Sequence, residues 1–268
     1  MEYKGDKRIG EVNYNKEGLK MTIVEYNNAN NIVVKFEDDT LCKTRYCHFK
    51  SGSTRHPSYK NRKGEIGYNT FGSKMVIIEY RHSEDIDIYF EEYNWTFYHS
   101  KYTRFKDGNI KCPYEKRYYH QGFLGEGEYK PYINHKPTRA YVHWYQMLRR
   151  CFSVKYQDKK PTYIGCQVCD EWLNFQNFAQ WYEENYYEVN EEEMHLDKDI
   201  LVKGNKIYSP NTCIFAPKKI NDLFMNKEFH IHHGNYIKVT KEYIQQIAEQ
   251  YKNVIPHKLY QAMYNYEK

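Results

Sequence analysis

The amino-acid sequence predicts an α+β protein in which two tandem antiparallel β repeats precede a region of helices and short strands. Within residues 10–108, apolar and polar residues alternate between Gly and Asn turns, as is typical of half-buried strands. A Gly- and Pro-rich segment follows, and beyond it apolar residues recur at helical spacing. These observations divide the chain into β repeats over 1–59 and 60–114, a linker over 115–137, a mixed domain over 138–228 and a helical tail over 229–268.

The two β repeats are an internal duplication. Residues 10–37 match residues 64–91, an offset of 54, and the match ends at 49–52 and 105–108 after a two-residue insertion. Three to five short strands in a unit of this size suit a small SH3-like barrel, and two copies are too few for a solenoid. We therefore predict two tandem small SH3-like β-barrels.

Three interpretations of the function of the β repeats are consistent with the sequence. Basic residues are interleaved with aromatic ones, which suits phosphate contacts and base stacking. The same pattern arises when aromatic residues fill a core and basic residues face solvent. A protein-binding role is equally open. The residues concerned are Lys43, Arg45, Tyr46, Phe49, Lys50, Lys101, Tyr102, Arg104, Phe105 and Lys106.

Composition is compatible with a nucleic-acid partner and predicts a cytoplasmic protein. The 268-residue chain has a net charge of +5 and a pI of about 8.6, a mild basic excess. Its seven cysteines, an odd number, favour reduced thiols. No apolar run approaches the roughly 18 residues of a membrane span, and the first ten residues lack the apolar core of a signal peptide. We therefore expect no membrane partner.

Cys166 and Cys169 form a CxxC pair, the spacing of many zinc ligands. Structural zinc needs four ligands, often from a second such pair, whereas Cys151 and Cys213 stand alone in apolar runs. We therefore expect buried thiols and no zinc site.

Residues 194–224 follow the order strand, turn, strand, helix. Strand-like runs at 194–201 and 213–216 are separated by a turn with Gly204 and Asn205, and Pro217 introduces the helix. Acidic and amide side chains lie where the strands and the helix of this unit meet its turns. Such a unit suits one hard divalent cation facing a phosphate, with oxygen ligands from the first strand and the helix.

Within this unit, LDKDILVKGNKIYSPNTCIFAP resembles the HNH (ββα-metal) endonuclease-like domains of phages and mobile elements, which carry LDRID-type first strands and YSPxNC-type second strands. The upstream segments RCF and GCQVCDEW also match, so the resemblance covers roughly residues 132–224. It implies an HNH-like domain in a phage- or mobile-element-encoded protein of a bacterial cell. It also implies Mg²⁺ or a similar ion held by Asp197 and Asn221, with Asn211 as the family's middle Asn.

The base position is where this chain departs from the family. Active members have Asp-His or His-His where this chain has Asp197 and Lys198. A lysine base would need its pKa lowered by about 3 units, whereas the neighbouring Asp197 and Asp199 favour its charged form. Lys198 therefore suits a phosphate contact. Alternation puts His195 on the strand face of Asp197, so His195 is the candidate base, the alternative being an ordinary surface histidine.

Basic residues around this unit would hold a nucleic-acid backbone, and we expect DNA as the partner. For the two arginines, a cationic helix end is an equally good explanation. These residues are Arg149, Arg150, Lys203, Lys206, Lys218 and Lys219.

Three functions are consistent with these features. The first is a metal-dependent DNA endonuclease that hydrolyses phosphodiester bonds. The second is a degenerate HNH-fold protein that binds nucleic acid without cutting, as Lys198 at the base position would favour. The third is a protein that binds a host protein, for example as a defence-system inhibitor. Two tail helices, beginning after Thr240 and at Pro256, have apolar faces that either cover the domain or bind such a partner.

Overall fold

The structure, a computed structural model, describes residues 6–58, 62–225, 229–232 and 235–266. The chain divides into two compact units, Met1–Cys112 and Pro113–Lys268. Helices and small sheets occur in both, so the α+β prediction is confirmed. The boundaries predicted at 59/60 and 228/229 involve residues outside the described ranges. None of the described helices is long and apolar enough to cross a membrane.

The first unit contains two copies of one motif, a four-stranded antiparallel sheet followed by a short helix. Strands pair in sequence order in both sheets, and within the described residues the outer strands of each sheet do not pair with each other. The predicted closure into barrels is therefore wrong, and each copy is an open sheet. The first copy comprises β1 (Val12–Tyr14), β2 (Lys20–Asn28), β3 (Asn31–Phe36), β4 (Leu41–Thr44) and α1 (Tyr46–Lys50). The second comprises β5 (Ile66–Tyr68), β6 (Lys74–His82), β7 (Asp85–Phe90), β8 (Trp95–Ser100) and α2 (Tyr102–Lys106).

One short helix covers the apolar face of each sheet. Burial of β-branched and aromatic side chains from the two central strands against the helix drives this packing. In the first copy the cluster comprises Met21, Ile23, Ile32, Val34, Phe36 and Phe49. The corresponding buried residues of the second copy are Met75, Ile77, Ile86, Ile88, Phe90 and Phe105.

Two equivalent glycines follow the helices of the repeats. Gly52 and Gly108 both have φ of +67°, in the left-handed region that L side chains rarely adopt. A Cβ atom at Gly52 would lie 2.9 Å from the carbonyl oxygen of Tyr14, and one at Gly108 would lie 2.9 Å from that of Tyr68. The glycines therefore let each helix end close against the first strand of its own sheet.

A cluster of Arg, Glu and Tyr is also repeated. In the second copy the Tyr102 hydroxyl donates to Glu65 at 2.8 Å and accepts from Arg62 at 2.7 Å. The Arg62 guanidinium also lies 4.2 Å from the centroid of the Tyr102 ring. These contacts tie the start of the repeat to its helix. Related contacts in the first copy join Arg8, Glu11 and Tyr46.

Replacement of Tyr102 by phenylalanine should lower the free energy of unfolding of the protein by about 1 kcal/mol, because the ring stays and only the hydrogen bonds of its hydroxyl are lost. Urea denaturation measures this change. The matched control is Tyr98→Phe, since Tyr98 is 63% exposed and should leave the midpoint unchanged. Equal midpoints for the two variants would show that the cluster does not stabilise the repeat.

The second unit combines seven helices with short paired strands within its described residues. Its first half comprises β9 (Tyr132–Ile133), β10 (Lys136–Pro137), α3 (Arg139–Phe152), α4 (Val154–Lys159), β11 (Gln167–Val168), α5 (Asp170–Leu173) and α6 (Phe175–Asn185). Its second half comprises β12 (Met194–Asp197), β13 (Ile207–Tyr208), β14 (Ile214–Pro217), α7 (Lys218–Phe224), β15 (Phe229–His232), β16 (Asn235–Lys238), α8 (Lys241–Tyr251) and α9 (His257–Tyr264). The strand pairs are β9–β10, β12–β14 and β15–β16, all antiparallel, and β11–β13, which is parallel.

The β12–β14 pair lies between two apolar cores. Because side chains alternate along a strand, Phe215 packs into an aromatic core with Trp144 and Trp172, while Ile214 and Ala216 pack into an aliphatic core. Helices α3 and α6 supply most of the aromatic core. The pair is thus held on both faces, which fixes the position of the side chains at its ends.

The C-terminal helices complete the aliphatic core. Helix α8 begins after Thr240, whose side chain accepts from the backbone N–H of Tyr243, and α9 begins after Pro256, as predicted. The residues of α8 and α9 in this core are Ile244, Ile247, Ala248, Tyr251, Leu259 and Met263. Of the two roles considered for their apolar faces, the structure shows the first: they cover the domain.

The segment predicted as a linker, 115–137, is instead packed within the second unit. Gln176 of α6 accepts from the backbone N–H of Tyr129 and donates to the carbonyl groups of Leu124 and Tyr129. A Cβ atom at Gly122 would lie 2.3 Å from a methyl carbon of Leu148. The glycines that suggested a flexible linker thus include one that permits close approach to α3.

Candidate functional site

Strands β12 and β14 and helix α7 form a strand–strand–helix unit. His195 pairs with Ala216 and Asp197 with Ile214 across the two strands. Directly opposed residues project to the same face of a pair, so His195 and Asp197 share the face that carries the aliphatic core and α7. This alternation is the one expected from the sequence.

His195 contacts Asn221 of α7. The Nδ1 atom of His195 lies 3.2 Å from Nδ2 of Asn221, and its Nε2 atom lies 3.3 Å from a carboxylate oxygen of Glu193. Asn221 is 6% exposed, and its Oδ1 atom is buried with no hydrogen-bond partner within the described residues. The structure therefore joins a half-buried imidazole to a buried carboxamide and to an exposed carboxylate.

The His195–Asn221 contact has two proton arrangements, because heavy-atom positions fix neither the tautomer nor the amide orientation. In the first, the amide of Asn221 donates to Nδ1, and the ring proton is on Nε2. In the second, the amide is turned by 180°, Oδ1 accepts from Nδ1–H, and Nε2 carries a lone pair that faces the Glu193 carboxylate 3.3 Å away. Only the second arrangement makes His195 a proton acceptor towards its surroundings.

A pocket of about 520 Å³ lies beside His195, between α3 and the start of β12. Its volume is within the range of about 300–1,000 Å³ usual for ligand sites. Four glutamates and two arginines line it, so carboxylates outnumber guanidinium groups. These charged residues are Arg139, Arg150, Glu188, Glu191, Glu192 and Glu193.

A second imidazole lines the same pocket. His143 of α3 packs against Phe215, with ring centroids 5.2 Å apart, and near Tyr182 at 5.7 Å. Burial, with the nearby Arg150 charge, lowers the pKa of His143 to about 4, so the ring is neutral at physiological pH. His143 lies on α3, far from His195 in sequence, and only the fold brings it to the pocket of His195.

Asp197, predicted as a metal ligand, holds a turn. Its Oδ1 atom accepts from the backbone N–H groups of Asp199 at 2.6 Å and Ile200 at 2.7 Å. Burial raises the pKa of the Asp197 carboxyl above its ordinary value, although these two N–H groups act to lower it. The contacts are those of a carboxylate that closes the end of β12.

Replacement of Asp197 separates the turn role from the metal role. Asp197→Ala should lower the free energy of unfolding by about 1–3 kcal/mol, because two backbone N–H groups lose their acceptor. Asp197→Asn keeps an acceptor oxygen, so it should retain stability. The pKa of Asp197 is higher in the folded than in the unfolded protein, so ionisation of its carboxyl lowers the free energy of unfolding at pH values above the folded-state pKa. This loss of stability diminishes as the pH falls below the folded-state pKa. The Asn variant should lack this pH dependence in urea titrations from pH 4 to 8.

Nicking activity completes that test of Asp197. If Asp197 only holds the turn, the Asp197→Asn variant should nick plasmid at the rate of the wild-type protein. A strong loss of nicking in a stably folded Asp197→Asn variant would restore the metal-ligand role.

Lys198, at the position of the family's base, is buried. Its ammonium group donates to Asp199 at 2.6 Å and to the carbonyl oxygen of Asn205 at 2.8 Å. Only 5% of the residue is exposed. These contacts hold the loop after β12 and engage the ammonium group that we predicted to contact a phosphate.

Asn211, the predicted middle Asn, is exposed in the turn before β14. The turn is closed by other residues: the hydroxyl groups of Ser209 and Thr212 are hydrogen-bonded at 2.8 Å, and Thr212 donates to the carbonyl oxygen of Ile207. The structure shows contacts with His195 from Asn221 and Glu193, and none from Asn211 within the described residues.

The basic residues predicted to bind DNA have different environments. Arg150 is half-buried, lines the His195 pocket, and donates to the Leu196 carbonyl oxygen at 3.4 Å. Arg149 stacks on Tyr156. The lysines have these contacts: Lys206 with the Thr162 carbonyl oxygen, Lys218 with Asp222, and Lys219 with the Tyr251 ring, while Lys203 is exposed. Arg139, not predicted, joins Arg150 at the pocket and pairs with Glu188.

The CxxC cysteines lie in or beside the aromatic core, together with Cys151 and Cys213, and all four are free thiols. Burial raises the pKa of Cys151 to about 12 and also raises the pKa values of Cys169 and Cys213.

A cluster of potential metal ligands lies in the second β repeat. Asp85, Asp87 and His99 have ligand atoms within 4.8 Å of one another. Arg81 donates to Asp85 at 2.7 Å and to Asp87 at 2.6 and 3.0 Å, and these hydrogen bonds hold the pKa of Asp85 below its usual range. A cation would have to displace the guanidinium. In the first repeat, the residues equivalent to Arg81, Asp85 and Asp87 are Asn27, Asn31 and Val33, respectively.

Comparisons of the chain with protein-family models, curated proteins and solved structures found no match. Function is therefore inferred from the residues of the site, above all His195, Asn221 and Glu193.

Proposed function

We propose that the second unit is an HNH-like domain that binds DNA and hydrolyses its phosphodiester bonds, with His195 as the general base. The contact of His195 with Asn221 carries the proposal. It joins a titratable ring on a strand to a buried amide on the following helix, at the wall of a pocket of ligand size. A surface histidine without a role would need no such buried partner.

The residues around His195 have separate roles in this reaction, and Glu193 has two. Asn221 accepts from Nδ1–H and holds the imidazole in the tautomer whose Nε2 takes a proton from water. The water oxygen attacks phosphorus, the bond to the leaving sugar oxygen breaks, and that oxygen takes a proton from solvent water. Glu193 stabilises the imidazolium that forms, and Arg150 contacts a phosphate oxygen.

We propose Glu193, in place of Asp197, as the carboxylate that holds Mg²⁺ or a similar ion. Asp197 fits this task poorly because its Oδ1 atom already accepts from two backbone N–H groups. Glu193 is exposed beside His195, and Mg²⁺ commonly takes one or two carboxylates, waters and substrate phosphates as ligands. The excess of glutamates repels phosphate, and a divalent ion would neutralise that repulsion.

The test is the nicking of supercoiled plasmid by the full-length protein, with Mg²⁺ and with EDTA. The proposal expects nicked circles with Mg²⁺ and none with EDTA, and Glu193→Gln should lower the rate with Mg²⁺. No nicking with Mg²⁺, Mn²⁺ or Zn²⁺ would contradict hydrolysis.

The second candidate function is DNA binding without hydrolysis. It is favoured by Asp197 and Lys198, because both residues at the family's catalytic pair have structural contacts in this chain. Fluorescence anisotropy with labelled duplex DNA in EDTA distinguishes this function. Salt-dependent binding combined with no nicking in any metal would establish it, and nicking would exclude it.

A further inference from the structure

A second pocket adjoins the pocket of His195. Its volume is about 540 Å³, and it is formed by α3, α6 and the segment that precedes β9. Three residues line both pockets, namely Arg139, Tyr186 and Glu188. A nucleic-acid strand that passes over these three residues would therefore contact both pockets.

Aromatic rings dominate the wall of the second pocket. The Tyr182 and Tyr186 rings are stacked, with centroids 4.7 Å apart and an interplanar angle of 19°. Tyr182 is buried and Tyr186 is half-buried, and the half-buried rings of Tyr129 and Tyr187 add further aromatic surface. A planar base can continue such a stack, as bases do on the aromatic residues of single-strand-binding proteins.

Charged side chains of both signs line this pocket, and the carboxylates of Glu128, Glu183 and Glu188 outnumber the cations of Lys130 and Arg139. Glu128 and Glu183 are exposed at its edge, and both carboxylates act to raise the pKa of Tyr129, after desolvation as the larger cause. A carboxylate only accepts hydrogen bonds. Guanine is the base whose pairing edge offers two adjacent donors, N1–H and the 2-amino group. Adenine and cytosine place a ring-nitrogen acceptor beside their single amino group, and thymine flanks its N3–H with two carbonyl groups.

We propose that the second pocket binds one unstacked guanine base, next to the phosphate that lies beside His195; this subsite rests on the proposed nuclease function. The base stacks on Tyr186, and Glu128 or Glu183 accepts from its two donors. Arg139, which lines both pockets, is placed to contact the backbone between them. The protein is thereby selective for single-stranded or locally opened DNA with a guanine beside the cleaved bond.

Binding of short single strands tests the guanine subsite without any cleavage. Full-length protein carrying His195→Ala, which lacks the proposed base, is titrated in Mg²⁺ with fluorescein-labelled TTGTT, TTATT and TTITT, where I is inosine, and anisotropy is recorded. TTGTT should bind about 10-fold more tightly than TTATT, as expected for one bidentate contact. TTITT, which lacks only the 2-amino group, should lie between them.

Two variants locate the preference in the pocket. The exposed pair Glu128→Gln and Glu183→Gln, made together, should reduce the difference between TTGTT and TTATT to less than about 3-fold, since a carboxamide offers a donor beside its acceptor. Tyr186→Leu should weaken binding of all three strands by about 10-fold, because base stacking is lost. Glu249→Gln, far along the chain on α8, is the control and should leave the preference unchanged.

The outcomes separate the subsite from the nuclease. Equal affinity for the three strands, no binding of any strand, or an unchanged preference in the Glu128 and Glu183 variant overturns the guanine subsite, whatever the plasmid assay shows. A guanine preference that depends on these residues, in a protein that nicks no plasmid, supports the subsite and overturns the nuclease.

Discussion

Replacement of His195 by alanine is expected to lower the rate of plasmid nicking by at least about 100-fold, the lower end of the contribution of a general base. The ring projects from β12 to a pocket and is held on one side by the buried Asn221. Alanine removes the proton acceptor and leaves the strand pairing intact, because β12 and β14 are joined by backbone hydrogen bonds. Initial nicking rates at saturating Mg²⁺ measure the effect.

Two control measurements are needed to interpret the effect of His195→Ala on nicking. Asn211→Ala changes an exposed turn residue and should keep nicking within about 2-fold of wild type, as for a surface substitution. Thermal unfolding of His195→Ala should remain cooperative, with a midpoint only a few degrees below that of the wild-type protein because one buried side-chain hydrogen bond is lost, so that lost activity is not lost structure. Full activity in His195→Ala would show that another group takes the proton, and the neutral His143 in the same pocket would be the next candidate.

Features that depend on neighbouring residues could be predicted from the sequence. The duplication, the strand–strand–helix order of 194–224 and the starts of α8 and α9 follow from alternation, from Gly and Pro positions and from the Thr240 cap. These signals act over a few residues, so they are visible in the sequence. The shared face of His195 and Asp197 was predictable for the same reason.

Features that depend on distant contacts could not be predicted. Whether β1 meets β4 is decided by twist and packing, so alternation alone could not distinguish an open sheet from a barrel. Asn221 reaches His195 across 26 positions in sequence, and Arg139 pairs with Glu188 across 49. Asp197 differs, because its partners are local: it accepts from the backbone N–H groups of Asp199 and Ile200, two and three residues ahead, an arrangement typical of Asp in turns. Its identity suited a metal ligand, but the chain turns back on its carboxylate directly after β12.

Replacement of Trp144 by alanine should lower the free energy of unfolding of the protein by about 3–5 kcal/mol, the range for large aromatic residues truncated in a core. Trp144 is fully buried and contacts the rings of Tyr118 at 5.0 Å and Phe175 at 5.5 Å. Its indole N–H donates to the carbonyl oxygen of Trp172 at 2.7 Å. Alanine would leave a cavity and a carbonyl group without its donor.

The consequence extends to the site, because Trp144 and Phe215 belong to the same aromatic core and Phe215 lies on the strand beside His195. Trp144→Ala should therefore reduce both the urea midpoint and nicking, whereas Trp144→Phe, which refills most of the cavity, should recover part of both. Gln146→Ala, an exposed position on the same helix, is the control for stability and should leave the midpoint unchanged. A Trp144→Ala protein with a wild-type midpoint would show that this core does not hold the strand pair in place.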